Sequence, residues 1–181
     1  LLVDEQGGFR KGRGCVDQIF VLTEVLAKRK QERKKTFLCF IDMRKAYDRV
    51  WRDGLWAALW RQGVRGRLWR FLRSYYSKVK SKVRLGRGET EWFDVDVGVR
   101  QGCVLSPVLF AIFIDRLAQE VKRLGVGIPA GLRRSLALLL YADDIVLVAN
   151  TPEELQKMLE AVEQFCDRWR MEVNAGKTKV M

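Results

Sequence analysis

Tyr141-Ala142-Asp143-Asp144 stands between two apolar runs, Ser135-Leu136-Ala137-Leu138-Leu139-Leu140 before it and Ile145-Val146-Leu147-Val148-Ala149 after it. Each flank is too short for an independent helix, and the second is rich in β-formers, so the stretch predicts strand, turn, strand. Two adjacent acids at a hairpin tip repel each other unless something cationic sits between them. A hard divalent cation bound by oxygen ligands is one solution. A solvated turn, where Asp is common, is the other, and these four residues alone do not separate the two.

Asp42 is a second anomaly. It ends the run Thr36-Phe37-Leu38-Cys39-Phe40-Ile41, which reads as a strand buried on both faces. An uncompensated carboxylate there would be costly to bury. Either it lies just past the strand end, solvated or capping the next turn, or it belongs with Asp143 and Asp144. In the second case adjacent strands bring three carboxylates together, an arrangement suited to two divalent metals working on phosphates.

Composition narrows the choice. The 181 residues, 48% hydrophobic and 31% charged, make one domain with a real core. No apolar run is long enough to span a bilayer, and no signal peptide is visible. The chain has no histidine, which excludes His-dependent triads within it. Cys15, Cys39, Cys103 and Cys166 lack CxxC spacing, so they read as buried reduced thiols of an intracellular protein and not as a zinc site. The net charge is +12, and its distribution is uneven. No acid occurs between Asp53 and Glu89, a span that holds Arg61, Arg65, Arg67, Arg70, Arg73, Lys78, Lys80, Lys82, Arg84 and Arg87. Trp60, Trp69, Phe71, Tyr75 and Tyr76 are interleaved with them. Such a run suits nucleic-acid phosphates and bases, although most of these aromatics are expected in the core.

Apolar spacing predicts helices over about 15–33, 51–62 and 67–78. A hairpin is expected to pair 81–85 with 92–97 across Gly86-Arg87-Gly88-Glu89. Ser106-Pro107 reads as an N-cap and first helical proline, opening a helix that ends near Leu124, before a loop over 125–131. Thr151-Pro152 repeats the signal for a helix buried through Leu155, Met158, Leu159, Val162, Phe165 and Trp169. Asp48 reads as a cap for a helix over 49–59, and Val173 and residues 177–180 as edge strands. Few strands with several helices, without strict βαβ alternation, predict an α+β domain whose small antiparallel sheet carries helices on one face.

Five ordered segments carry a resemblance that covers nearly the whole chain. Glu5-Gln6-Gly7-Gly8-Phe9-Arg10, with Asp17-Gln18-Ile19, is similar to an early fingers segment of reverse transcriptases, most of all the LINE-type (non-LTR) enzymes. Phe40-Ile41-Asp42-Met43-Arg44-Lys45-Ala46-Tyr47-Asp48 resembles their first metal-binding motif. Arg100-Gln101-Gly102-Cys103-Val104-Leu105-Ser106-Pro107 resembles their substrate- and template-positioning motif. Tyr141-Ala142-Asp143-Asp144 resembles the catalytic hairpin, and Asn174-Ala175-Gly176-Lys177-Thr178-Lys179 the lysine motif that follows it.

The resemblance implies a polymerase palm with partial fingers, the palm core over 36–50 and 81–181 and the fingers and palm helices over 1–35 and about 51–80. It implies Asp42 and Asp143 as principal Mg²⁺ ligands (or Mn²⁺ in its place), with Asp144 supporting. Tyr47 is the implied steric gate that excludes a 2′-hydroxyl. Gln101 and Gly102 would line the nucleotide pocket, and Met43 belongs with them in the substrate-binding set. Lys177 would stand near the leaving pyrophosphate. Partners are an RNA template, a DNA primer and dNTPs, with Arg61, Arg65, Arg67, Arg70 and Arg73 as nucleic-acid contacts. The expected location is intracellular, nuclear if the element is a eukaryotic retrotransposon, with synthesis in the cytoplasm.

Several departures and rivals stand beside this. The upstream triphosphate-gripping motif, a thumb, an endonuclease and a zinc knuckle are not in the sequence, so a fragment of a longer polypeptide is expected. A group II intron or retron enzyme, an RNA-dependent RNA polymerase, and an inactive nucleic-acid-binding remnant are the alternatives.

Overall fold

The structure, a computed structural model, describes residues 2–130 and 135–181. Of the loop expected over 125–131, Gly131 lies outside the described residues. Helix α1 (Cys15–Gln31) leads into strand β1 (Phe37–Ile41), and helices α2 (Arg52–Arg61) and α3 (Gly66–Tyr76) follow. A narrow ribbon comes next, in which β2 (Lys80–Ser81) pairs with β5 (Phe93–Asp94) and β3 (Arg84–Leu85) with β4 (Gly88–Glu89). Helix α4 (Ser106–Arg123) precedes the short pair β6 (Ile128–Pro129) and β7 (Ser135–Leu136). The chain then runs through β8 (Leu138–Tyr141), β9 (Asp144–Ala149), α5 (Pro152–Trp169) and β10 (Lys179–Val180).

The central sheet is antiparallel, in the order β10-β1-β9-β8. Strand alternation sends Cys39, Ile41 and Leu147 to one face, where α2, α4 and α5 cover them with Leu55, Leu59, Phe110, Phe113, Leu117 and Phe165. Phe113 and Trp169 meet edge to face at 5.3 Å, and Phe165 stacks beside Trp169 at 5.7 Å. That is the α+β layering expected. The expectation of helices on one face alone does not hold: the other face, with Leu38, Leu139 and Val148, is also covered, by Leu22, Val25 and Leu26 of α1 and by Ile128 and Leu136. The second cover explains why β1 reads as apolar throughout.

Details differ from the sequence reading. In α1 the expected stripe is used only at its C-terminal end, since Val16, Ile19 and Phe20 are 76%, 56% and 62% exposed. Ser106 is not an N-cap. Leu105 takes that position, and a turn in which the Ser106 amide donates to the Cys103 carbonyl draws Ser106 into the helix. Its buried hydroxyl then lies 3.2 Å from that of Tyr76. Thr151 does cap α5, its hydroxyl accepting from the Glu154 amide at 3.2 Å. The expected hairpin is interrupted, with Thr90 bridging back to Val83 between the two paired stretches. Among the aromatics, Tyr76 is core, Trp69 and Tyr75 are half-buried, and Trp60 and Phe71 face solvent. Cys39 and Cys166 are buried thiols, burial pushing Cys166 up to about 11, whereas Cys15 is exposed and Cys103 half-exposed.

Candidate active site

Strands β1 and β9 are neighbours with Ile41 opposite Ile145, so Asp42 leaves β1 at the point where Asp144 enters β9. Tyr141 pairs with Asp144, which puts Ala142 and Asp143 at the tip of a two-residue turn. Ala142 takes a φ of +59°, a left-handed conformation unfavourable for a residue with a Cβ. The expected strand, turn, strand is therefore present, and the two acid-bearing strand ends adjoin.

The electrostatics agree with that proximity. Burial first, then the Asp144 and Asp42 carboxylates, push the Asp143 carboxyl above its ordinary value, against a partial pull from its own backbone amide. Burial and then the Asp143 carboxylate push the Tyr47 phenol up, so the two are within electrostatic reach of each other. Asp42 is held from the other side. Asn174 donates its side-chain amide to Asp42 Oδ2 at 3.0 Å and its backbone amide to the Asp42 carbonyl at 2.8 Å. Lys177 Nζ stands 3.8 Å from Asp42 Oδ1. The sequence placed Asn174 in a motif without giving it a role. The signal was its position three residues before Lys177, which lets one turn deliver both groups to Asp42.

Tyr47 stacks on Phe110 with ring centroids 4.8 Å apart and planes 15° apart, so its ring is fixed by the core. It shares a cavity of about 470 Å³ with Gln101, Gly102, Cys103, Val104, Ser106 and Pro107. Three residues of the implied nucleotide pocket thus do converge. The Val99 amide donates to the Tyr47 carbonyl at 2.8 Å and the Gly98 amide to the Val50 carbonyl at 2.9 Å, binding the two loops together. Gly98, with φ +80°, has no room for a side chain, since a Cβ would lie 2.7 Å from the Asp48 carbonyl oxygen. Asp48 does not cap α2, which begins at Arg52. Its carboxylate accepts from Gln101 Nε2 at 2.8 Å and orients that amide instead.

Other residues fall elsewhere. The Met43 side chain is 4% exposed within the main core and its backbone bridges Val173, so it offers a nucleotide no side chain. Arg100 lies over the Tyr75 ring at 4.4 Å and donates to the Tyr75 carbonyl, an internal role. Arg61, Arg65, Arg67, Arg70 and Arg73 are all exposed on α2, α3 and the turn between them. Arg65 covers the Trp60 ring at 5.1 Å and Arg73 the Trp69 ring at 4.8 Å. None of the five lines the cavity beside Tyr47. Lys177, for which the motif implied a place near the leaving pyrophosphate, stands beside Asp42.

The donor set suits a hard divalent cation, being carboxylate oxygen throughout and carrying concentrated, partly desolvated negative charge. Among the described residues, no three acidic or cysteine side chains are drawn close enough to hold an ion as they stand. Asp42 Oδ2 accepts from Asn174, and its Oδ1 faces Lys177. No described helix is long and apolar enough to cross a membrane.

Comparison with known proteins adds to this geometry. The family model described as "Reverse transcriptase (RNA-dependent DNA polymerase)" matches residues 1–181. A probable RNA-directed DNA polymerase from transposon BS of Drosophila melanogaster is 33% identical over 98% of this chain and 20% of its own length. The RNA-directed DNA polymerase from mobile element jockey of Drosophila funebris is 26% identical over 95% of this chain and 19% of its own. A Pol polyprotein from type-1 retrotransposable element R2 of Nasonia vitripennis is 27% identical over 90% of this chain and 16% of its own. The chain thus spans about a fifth of the length of these relatives. In fold, a telomerase structure from Candida albicans aligns with a TM-score of 0.70 at 15% identity, over 93% of this chain and 30% of that one.

Proposed function

Because the chain belongs to the reverse transcriptase (RNA-dependent DNA polymerase) family, with relatives among the non-LTR retrotransposons, we propose that the polypeptide carrying it adds dNTPs to a primer 3′ end on an RNA template. One observation supports this above all. Asp42 adjoins the Asp143-Asp144 turn at the end of two paired strands, and the cavity of Tyr47, Gln101 and Gly102 opens beside them.

Asp42 and Asp143 would hold Mg²⁺ in the main, with Asp144, exposed at the start of β9, in support. The chemistry that such bound cations supply is activation of an attacking hydroxyl and neutralisation of phosphate charge. The chain's own side chains do the rest. Tyr47, braced by Phe110, would set its ring against the sugar of the incoming nucleotide, where a 2′-hydroxyl would meet it. Gln101, oriented by Asp48, presents a fixed amide to the incoming nucleotide. Lys177, exposed beside Asp42, would supply positive charge to a departing diphosphate, where negative charge develops. The exposed arginines of α2 and α3 offer a surface for template or primer phosphates.

The test is Mg²⁺-dependent primer extension on an RNA template by the polypeptide carrying this chain, with Asp143→Ala as control and dGTP set against GTP. Extension with dGTP that the substitution abolishes is the expected result. No extension, extension untouched by Asp143→Ala, or a preference for GTP would overturn the assignment.

A further inference from the structure

Gln6 is wholly buried, and its carboxamide is turned onto the tip of the catalytic hairpin. The chain around it runs beside β8 as an added parallel strand, bridging Gln6 to Leu140. The Gly7 amide donates to the Leu140 carbonyl at 2.8 Å, and the Leu140 amide to the Glu5 carbonyl at 3.0 Å. At Ala142 the backbone swings into its left-handed turn, and a neighbouring strand can no longer follow it. The Gln6 side chain takes over. Its Oε1 accepts from the Ala142 amide at 3.1 Å and from the Gly8 amide at 2.8 Å, while Nε2 faces the Ala142 carbonyl at 3.5 Å. The carboxamide copies a peptide group, accepting and donating as a strand partner would.

The fit leaves no slack. A Cβ on Gly8 would lie 2.4 Å from the Ala142 nitrogen, so the segment is in direct contact with the turn. The segment is also fastened to α4 from behind. The Val3 amide donates to buried Asp115 at 2.6 Å, and Glu5 pairs with Lys122 at 2.6 Å. Arg10 ties the segment to itself through the Val3 and Gln6 carbonyls.

We propose that Gln6 is a positioning residue for the catalytic hairpin: its carboxamide holds Ala142 in the left-handed conformation and so fixes the direction in which Asp143 carries its carboxylate towards Asp42. A left-handed alanine is unfavourable on its own, so the turn persists only where the surroundings over-determine it. Asp143 is the next residue, and any relaxation at Ala142 moves it first. This inference rests on the reading of Asp42 and Asp143 as cation ligands, while its claim about the turn can be tested separately.

The experiment compares Gln6→Met, which keeps length and packing but cannot accept these bonds, with Gln6→Glu, which keeps the Oε1 acceptor. Amide hydrogen exchange is followed without metal or substrate at Ala142, with Cys39 and Leu147 in the sheet as internal references. Gln6→Met is expected to speed exchange at Ala142 about tenfold or more, the scale of an orphaned buried amide, while Cys39 and Leu147 stay protected. Gln6→Glu is expected to retain protection at Ala142. Mn²⁺ affinity, read by electron paramagnetic resonance, should weaken in Gln6→Met by about tenfold. In primer extension kcat should fall ~10–100-fold, the scale of a ligand misplaced by about 1 Å, with the dNTP KM changed less than about twofold. Unchanged Ala142 exchange in Gln6→Met overturns the proposal. So does a loss of protection spread equally over the sheet, which marks a merely structural role. If the unsubstituted protein binds no Mn²⁺ and extends no primer, the polymerase reading falls, and the Ala142 exchange still decides whether Gln6 holds the turn.

Discussion

Asp143 shows how the site trades stability for chemistry. Burial and two neighbouring carboxylates raise its pKa from the ordinary 3.8, so the folded chain holds that proton more tightly than the unfolded chain does. Its contribution to stability is therefore full below the unfolded value and is lost as pH rises through the higher folded value. At neutral pH, without a cation, the ionised side chain is a net cost. Asp143→Asn should raise Tm in EDTA at pH 7, and the gain should shrink as pH is lowered towards 4, by calorimetry or thermal melts. The same substitution should lower primer extension by at least ~10²-fold, the scale of removing one preorganised charge-stabilising group. A lower Tm for Asp143→Asn at pH 7 would contradict the crowded-acid account. Tyr47 makes a second prediction at this scale. On the proposed reading the ring, braced on Phe110 at 4.8 Å, excludes the ribose hydroxyl, and the phenol oxygen is not needed for it. Tyr47→Phe should keep the dNTP:NTP ratio of kcat/KM within about threefold, whereas Tyr47→Val should lower it by roughly 10–200-fold, the range reachable by shape alone.

Among the elements, one buried arginine holds the loop that carries Gln101. Arg52, at the first turn of α2, donates to the carbonyls of Tyr76, Val95, Val97 and Gly98 at 2.6 to 3.1 Å and lies over the Tyr76 ring at 5.2 Å. A planar fork of five donors can serve four carbonyls at once, and a lysine cannot. Arg52→Leu should destabilise the fold by about 3 kcal/mol, and Arg52→Lys by about 2, measured by urea unfolding, because buried carbonyls lose charged donors. Nothing in the sequence marked Arg52, since it sits in a helix start next to Asp53 and reads as a surface pair. Gln6 and Asn174 lie in segments that the sequence did mark, but their partners were hidden by the same limit. Each acts on backbone or carboxylate more than 130 positions away, at Ala142 and Asp42, and no local periodicity carries such a contact. What local pattern does carry was legible: the turn at Ala142 and Asp143, the β1 run, the Thr151 cap and the buried stripe of α5. The Ser106 cap and the Asp48 cap failed for one reason. Both side chains found tertiary partners, Tyr76 and Gln101, that outcompete a local backbone amide.

For the whole molecule the deciding quantity is charge. The net +12 is concentrated where the sequence runs from Asp53 to Glu89 without an acid, and in the fold that run becomes most of α2, then α3 and the flanking ribbon. The arginines there are not equivalent. Arg65 and Arg73 are laid over Trp60 and Trp69, so removing them uncovers indole rings as well as charge. Arg67 and Arg70 are exposed and, among the described residues, cover no ring, so their substitution isolates the electrostatic part. If α3 contacts template or primer phosphates, each lost contact should reduce the slope of log Kd against log salt concentration by about 0.7 to 0.9. The Arg67→Gln, Arg70→Gln double variant should therefore flatten that slope by up to roughly 1.4 to 1.8 for an RNA–DNA primer-template. Its effect on stability should stay within ~0.5 kcal/mol, as expected for surface changes without buried partners. Weaker binding with an unchanged slope would point to a packing effect. An unchanged Kd together with an unchanged slope would mean that α3 faces away from the nucleic acid, its charge serving solubility alone.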